Sequence, residues 1–141
     1  MRRLALAACL TAALSLAGCG GSDTGDARKA AEAYVKKLGA RDGAGTCGQM
    51  TKSLQRQFTD AVARSNSQFR GRSCAAVMQA ALDMIPGDQL RQFSDAKIEG
   101  LKVKGDGGTF QYRLASIKVA GKVAKESGDW KVSCCVPSAG G

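Results

Sequence analysis

The hydrophobic period of this chain changes once, at Ser94-Asp95, and that change constrains the fold more than any other feature. Before it, apolar residues recur at helical spacing. Ala27, Ala30, Ala31, Tyr34, Val35 and Leu38 make one stripe; Leu54, Phe58, Ala61 and Val62 a second; Cys74, Val77, Met78, Ala81, Leu82 and Ile85 a third. Asp26 is placed to cap the first helix and Gly39 to stop it, with Lys36 and Lys37 suiting its C-terminal dipole. Gly43, Gly45 and Gly48 weaken Asp42 to Met50, which reads as a short helix or turn carrying Cys47. Thr51 or Ser53 opens the next helix, which fades at Ser65-Asn66-Ser67. Ser73 caps the third stripe, Pro86-Gly87 ends it, and Asp88 to Phe93 adds one turn.

Beyond Ser94-Asp95 the period is two. Ala96 and Ile98 share one phase, Leu101 and Val103 the other, and a bulge at Glu99-Gly100 reconciles them. Gly105-Asp106-Gly107-Gly108 makes a hairpin; it lacks the residues of a phosphate or calcium loop. Phe110, Tyr112 and Leu114 alternate, then Ile117, Val119 and Val123 after a slip at Ala115-Ser116. The intervening turn falls either at that slip or at Ala120-Gly121, the latter preferred. Ser127-Gly128-Asp129 turns into a last strand with Trp130, Val132 and Cys134 inward. Helices first and strands after predict an α+β domain, N-terminal helices packed on a curved antiparallel sheet of about four strands.

The first residues belong to a different segment. Arg2 and Arg3 precede an apolar run from Leu4 to Leu16, shorter than the roughly 20 residues of a membrane span. Charged start, short apolar middle and small residues describe a cleaved signal peptide. The run ends in Leu16-Ala17-Gly18-Cys19, which resembles a bacterial lipobox. That resemblance implies removal of residues 1–18 and acylation of Cys19, palmitate-like chains holding the protein to a bilayer. Each buried CH₂ adds about 0.8 kcal/mol, and two or three chains anchor stably. The expected organisation is a signal peptide at 1–18, a lipidated flexible tether at 19–25, one domain at 26–136 and a tail at 137–141. The expected address is the cell membrane, facing the extracellular or periplasmic side.

Composition narrows the chemistry. The 141 residues carry a formal charge of +9, which falls to +7 once Arg2 and Arg3 leave. That balance favours anionic partners. Lys97, Lys102, Lys104, Arg113, Lys118, Lys122, Lys125 and Lys131 concentrate it in the sheet half. They read as a solvated sheet face or, more sharply, as a surface for an anionic ligand or anionic membrane. Histidine is absent, which excludes Ser-His-Asp and Cys-His catalysis and imidazole metal sites. No nucleic-acid motif, metal set or cofactor motif is present.

The order of elements is similar to the nuclear transport factor two-like superfamily, a cone of helices closed by a curved sheet. Three places carry the likeness: Ala30-Ala31-Glu32-Ala33-Tyr34 leading to Ala40-Arg41-Asp42, the cysteine pair in the following helices, and Glu126-Ser127-Gly128-Asp129-Trp130-Lys131-Val132. Enzymes of that superfamily hold an acid or histidine inside the cone. The inward strand positions here carry no carboxylate, so no catalytic residue is carried over and a non-enzymatic domain is expected. Met78, Phe110, Tyr112 and Trp130 are the expected lining of a pocket for a small apolar or anionic ligand. A partner protein, or a homodimer through the outer sheet face, is the alternative.

Cys9 leaves with the signal and Cys19 is spent on lipid. Cys47, Cys74, Cys134 and Cys135 remain in an oxidising compartment, and four cysteines allow three pairings. Cys47 with Cys74 is preferred, because both flank the middle helix on core-facing positions. The loop of about 28 residues gives about 3–4 kcal/mol by chain entropy. Cys134-Cys135 stays open between a strained vicinal bond, cross-pairing, an intersubunit bond and two thiols.

Overall fold

The computed structural model describes residues 20–134. The signal segment 1–18, Cys19, Cys135 and the tail 137–141 lie outside the described residues. Five helices come first: α1 (Gly20–Gly39), α2 (Gly43–Gly48), α3 (Lys52–Ser65), α4 (Cys74–Asp83) and α5 (Gly87–Asp95). Four strands follow: β1 (Ile98–Lys104), β2 (Gly107–Leu114), β3 (Ile117–Glu126) and β4 (Asp129–Cys134). They pair antiparallel in sequence order, in a sheet that curls without closing. The helices cover one face of it. This is the α+β fold that the single change of period dictates.

The predicted stripe of α1 is its buried face: Ala27, Ala30, Ala31, Tyr34, Val35 and Leu38 are each at most 7% exposed. The three alanines let the helix lie close on the sheet. The predicted start at Asp26 is corrected. Gly20 to Gly25, expected as a flexible tether, form the first turns of α1. Tertiary contacts outweigh the low helix propensity of these glycines, for Asp23 pairs with Lys125 of β3 at 2.8 Å.

The role expected of Gly39 is also corrected. The left-handed residue after α1 is Arg41, at φ 57. Gly39 is helical, and a Cβ there would stand 2.6 Å from the Ser94 backbone nitrogen. Its missing side chain therefore sets how closely α1 and α5 pack. Arg41 in turn donates to Ile85 O at 2.8 Å and Asp83 O at 3.3 Å, supplying a cation to the open carbonyls that end α4.

Caps fix the middle helices. Asp42 accepts from Gly45 N at 2.7 Å and opens α2; Thr51 and Ser73 cap α3 and α4. Gly43 lets α2 approach α4, where a Cβ would meet the Gln79 backbone nitrogen at 2.6 Å. Across this contact Cys47 is bonded to Cys74, with Cα atoms 6.0 Å apart.

The α2–α3 junction closes one edge of the sheet. Val132 N donates to Gln49 O at 2.7 Å and Thr51 N to Val132 O at 2.9 Å, with Met50 bridged in parallel to Val132. These bonds satisfy backbone groups that an edge strand would otherwise offer to another chain. The opposite edge, β1, carries Lys102, Lys104 and the Glu99–Lys102 irregularity expected near Gly100, itself at φ 56.

Two strand expectations change. The β2–β3 turn is at Ala115-Ser116, with Ala115 at φ 51, and β3 runs unbroken through Ala120-Gly121. In β4 the register shifts after Val132, so Cys134 pairs with Lys122 and does not continue the inward phase of Trp130 and Val132.

Candidate functional site

The strand register sorts the sheet residues into two faces. Ile98, Phe110, Tyr112, Val123, Trp130 and Val132 are buried beneath the helices. The opposite face forms cross-strand rows. Lys102, Thr109 and Lys122 stand side by side across β1, β2 and β3; Glu99, Gln111 and Ala120 make the next row; Arg113 faces Lys118. Lys104, beyond the first row, pairs with Gly107. All five of these cations are exposed. Among the described residues no ion pair involves Lys102, Lys104, Arg113, Lys118 or Lys122. Glu99 is the one acid in these rows.

The cations differ in how they are held. Lys125 points to the helix side, pairing with Asp23 and lying 5.5 Å from the Trp130 ring centroid. The Lys125 hydrogen bond and charge hold the Asp23 carboxyl below the usual carboxylate range against a smaller opposing burial. The Trp130 indole N–H adds to this without closing a hydrogen bond of full geometry. Lys131 donates to Gly48 O at 2.6 Å, across the edge of β4. The eight predicted sheet cations are thus divided: Lys125 and Lys131 staple the fold, five face outward with no ion pair among the described residues, and Lys97 is exposed just before β1.

A groove of about 310 Å³ crosses this outer face, bordered by Gly100, Lys102, Thr109, Gln111, Ala120 and Lys122. Gly100 and Ala120 keep its middle low. The Gln111 amide oxygen reaches to within 4.0 Å of where a Cβ on Gly100 would stand. Two ammonium groups, a hydroxyl and an amide therefore border one depression.

Met78, Phe110, Tyr112 and Trp130, expected as pocket lining, are packed in the core at 1–7% exposure. Phe110 and Tyr112 are stacked, ring centroids 6.1 Å apart. The core also holds something the sequence did not announce. The hydroxyls of Tyr34 and Tyr112 are both buried without a hydrogen-bond partner among the described residues. Burial raises the pKa of both, and for Tyr34 the neighbouring Tyr112 adds to the rise. Two apolar stripes place these tyrosines inward, but only the crossing of α1 over β2 brings them together.

Cys134 is disulfide-bonded. Among the described residues no three His, Cys, Asp or Glu side chains converge on a cation position. Likewise, no described helix is long and apolar enough to cross a membrane. No family model, curated protein or solved structure matches the chain.

Proposed function

We propose that this chain is a lipid-anchored protein of the bacterial cell envelope whose domain binds an anionic partner and performs no catalysis. The lipobox-like Leu16-Ala17-Gly18-Cys19 supports the anchor. The outer sheet face supports the binding role, and it is the observation that carries this reading: five exposed cations that form no ion pair among the described residues, in cross-strand rows that hold one acid, with Glu126 and Asp129 beyond them at one end. Like charges spread over adjacent strands repel a second copy of the same face, which favours an anionic partner over the homodimer through that surface. The helix-then-sheet order supports a nuclear transport factor two-like architecture.

Two measurements test the proposal. Intact mass of the protein extracted from membranes should show a chain beginning at an acylated Cys19. A mature chain that begins elsewhere, or carries no lipid, removes the anchor. Titration with inorganic polyphosphate should then show salt-sensitive binding that weakens when Lys102 and Lys122 are both changed to glutamate. Binding indifferent to that change removes the role of this face.

A second reading has its own observation. The hydroxyls of Tyr34 and Tyr112, without a hydrogen-bond partner among the described residues, are polar points in an apolar interior, suited to a small amphipathic ligand. Such a molecule would co-purify and appear by mass spectrometry after denaturation.

A further inference from the structure

The outer groove is more specific than a diffuse basic surface. Adjacent strands lie about 4.8 Å apart, so the backbones of Lys102 and Lys122 are about 10 Å apart with Thr109 between them. Their four-carbon stems are long enough for both ammonium groups to meet above the Thr109 hydroxyl. Gln111 lies across the Gly100 bulge on the same side. Such a set fits a phosphodiester: the two ammonium groups flank the single negative charge shared by its two non-bridging oxygens, and the Thr109 hydroxyl and Gln111 amide N–H supply neutral donors beside them.

The place of this groove on the molecule identifies which phosphate it meets. The Asp23–Lys125 pair pins the first turns of α1 to the end of β3. Lys125 N also donates to Asp106 O at 2.8 Å, so the β1–β2 turn and the start of α1 share one end of the sheet. Lys104 and the lysines of the Lys102–Thr109–Lys122 row are the outer cations nearest that end that form no ion pair among the described residues, with the Glu126–Asp129 pair beyond them. Gly20, where α1 begins, directly follows Cys19 in sequence. A lipid on Cys19 would be attached one residue before the start of α1, so the anchor would hold this end of the domain close to the bilayer.

We propose that the groove seats the phosphate headgroup of an anionic phospholipid, so that the outer sheet face lies against the membrane that anchors the chain. This inference rests on the lipid-anchor and anionic-partner readings above. Acyl chains and a basic surface are then two attachment signals in one protein. The arrangement fixes the domain's orientation, with the helical side turned to solvent.

The test is lysine footprinting of the full mature protein in vesicles. Protein is reconstituted in phosphatidylcholine alone or with phosphatidylglycerol, floated, acetylated with an amine reagent and analysed by mass spectrometry. Lys102 and Lys122 should be modified about fivefold more slowly, or slower still, in the phosphatidylglycerol vesicles. Lys36, exposed on α1, should be unchanged and reports any general effect of surface charge on the reagent. In the Lys102→Glu/Lys122→Glu variant the protection of Lys104 should disappear, while melting confirms the fold. Equal modification of Lys102 and Lys122 in both vesicles overturns the inference, as does equal slowing of Lys36. Protection by soluble polyphosphate on phosphatidylcholine vesicles, without protection by phosphatidylglycerol, overturns the lipid occupant and leaves the anionic-partner reading standing. Failure to float in either vesicle removes the anchor, and the inference falls with it.

Discussion

Gly121 of β3 sits directly opposite Phe110 of β2, and the phenyl ring fills the space where a side chain at 121 would stand. A Cβ on Gly121 would meet one ring carbon, Cε1, at 2.7 Å. Glycine in a strand interior is entropically unfavourable. Here the neighbouring ring covers the exposed backbone and makes the position a packing feature. The same pair keeps β3 continuous, because nothing at 121 needs a turn.

Gly121→Ala should therefore destabilise the domain, by about 1–3 kcal/mol from overpacking against the ring. Gly121→Ala combined with Phe110→Leu should recover part of that loss, because the smaller side chain vacates the clash. Chemical denaturation of the three variants checks it. A single variant as stable as the parent would show that the ring is not held where the pairing places it.

The Gly121 position also shows what the sequence could and could not convey. The change of period exposed the α+β order, and the stripe of α1 was legible because every third or fourth residue is apolar. The β2–β3 turn was not legible. Ala120-Gly121 has the composition of a turn, and Ala115-Ser116 does not, yet Ala115 takes the left-handed conformation. Local propensity lost to the tertiary fit of Gly121 beneath Phe110. Without that turn the register was undetermined, so Lys102, Thr109 and Lys122 could not be seen as one row. The start of α1 was hidden for a similar reason: Asp23 finds its partner on β3, about a hundred residues away. Cys47 and Cys74 were more readable, because helix faces alone placed both toward the core.

The Cys47–Cys74 bond holds the segment that caps β4, through Gln49 O and Thr51 N on Val132. Replacing both cysteines with alanine should lower stability by about 3–4 kcal/mol on chain-entropy grounds. The loss should be local before it is global. Hydrogen exchange at the Val132 and Thr51 amides should quicken well before exchange at the centre of β2. Uniform quickening across the sheet would show that the bond stabilises the whole fold without a special role at this edge.

Acid should weaken the clip between α1 and β3. Asp23 titrates lower in the folded chain than its ordinary value of 3.8, chiefly through Lys125. A depressed folded pKa gives stability that is present above about pH 4 and lost as pH falls through the folded value. The parent should melt higher than Asp23→Asn at neutral pH, and the two should converge as pH falls through the lowered folded value of Asp23. The difference should be modest, because both partners are partly exposed. A gap that persists at low pH would assign the effect of Asp23 to packing.

Alkali should act deeper in the same α1–sheet interface, through Tyr34 and Tyr112. Burial raises both phenols above their ordinary value of 10.0. The unfolded chain therefore loses these protons at lower pH than the folded chain. Stability is fully present below about pH 10 and falls as pH rises beyond it. Melting temperature and tyrosinate absorbance should drop and rise together in one cooperative transition above that pH. Tyr34→Phe separates two explanations of the buried hydroxyls. With no partner, the phenol carries an unsatisfied group whose desolvation costs about 1–3 kcal/mol, so its removal should stabilise the domain and soften the alkaline loss. With a bound small molecule, the same substitution should destabilise the purified protein and release that molecule. The sign of the change in melting temperature thus decides whether the interior is a packed core or an occupied site.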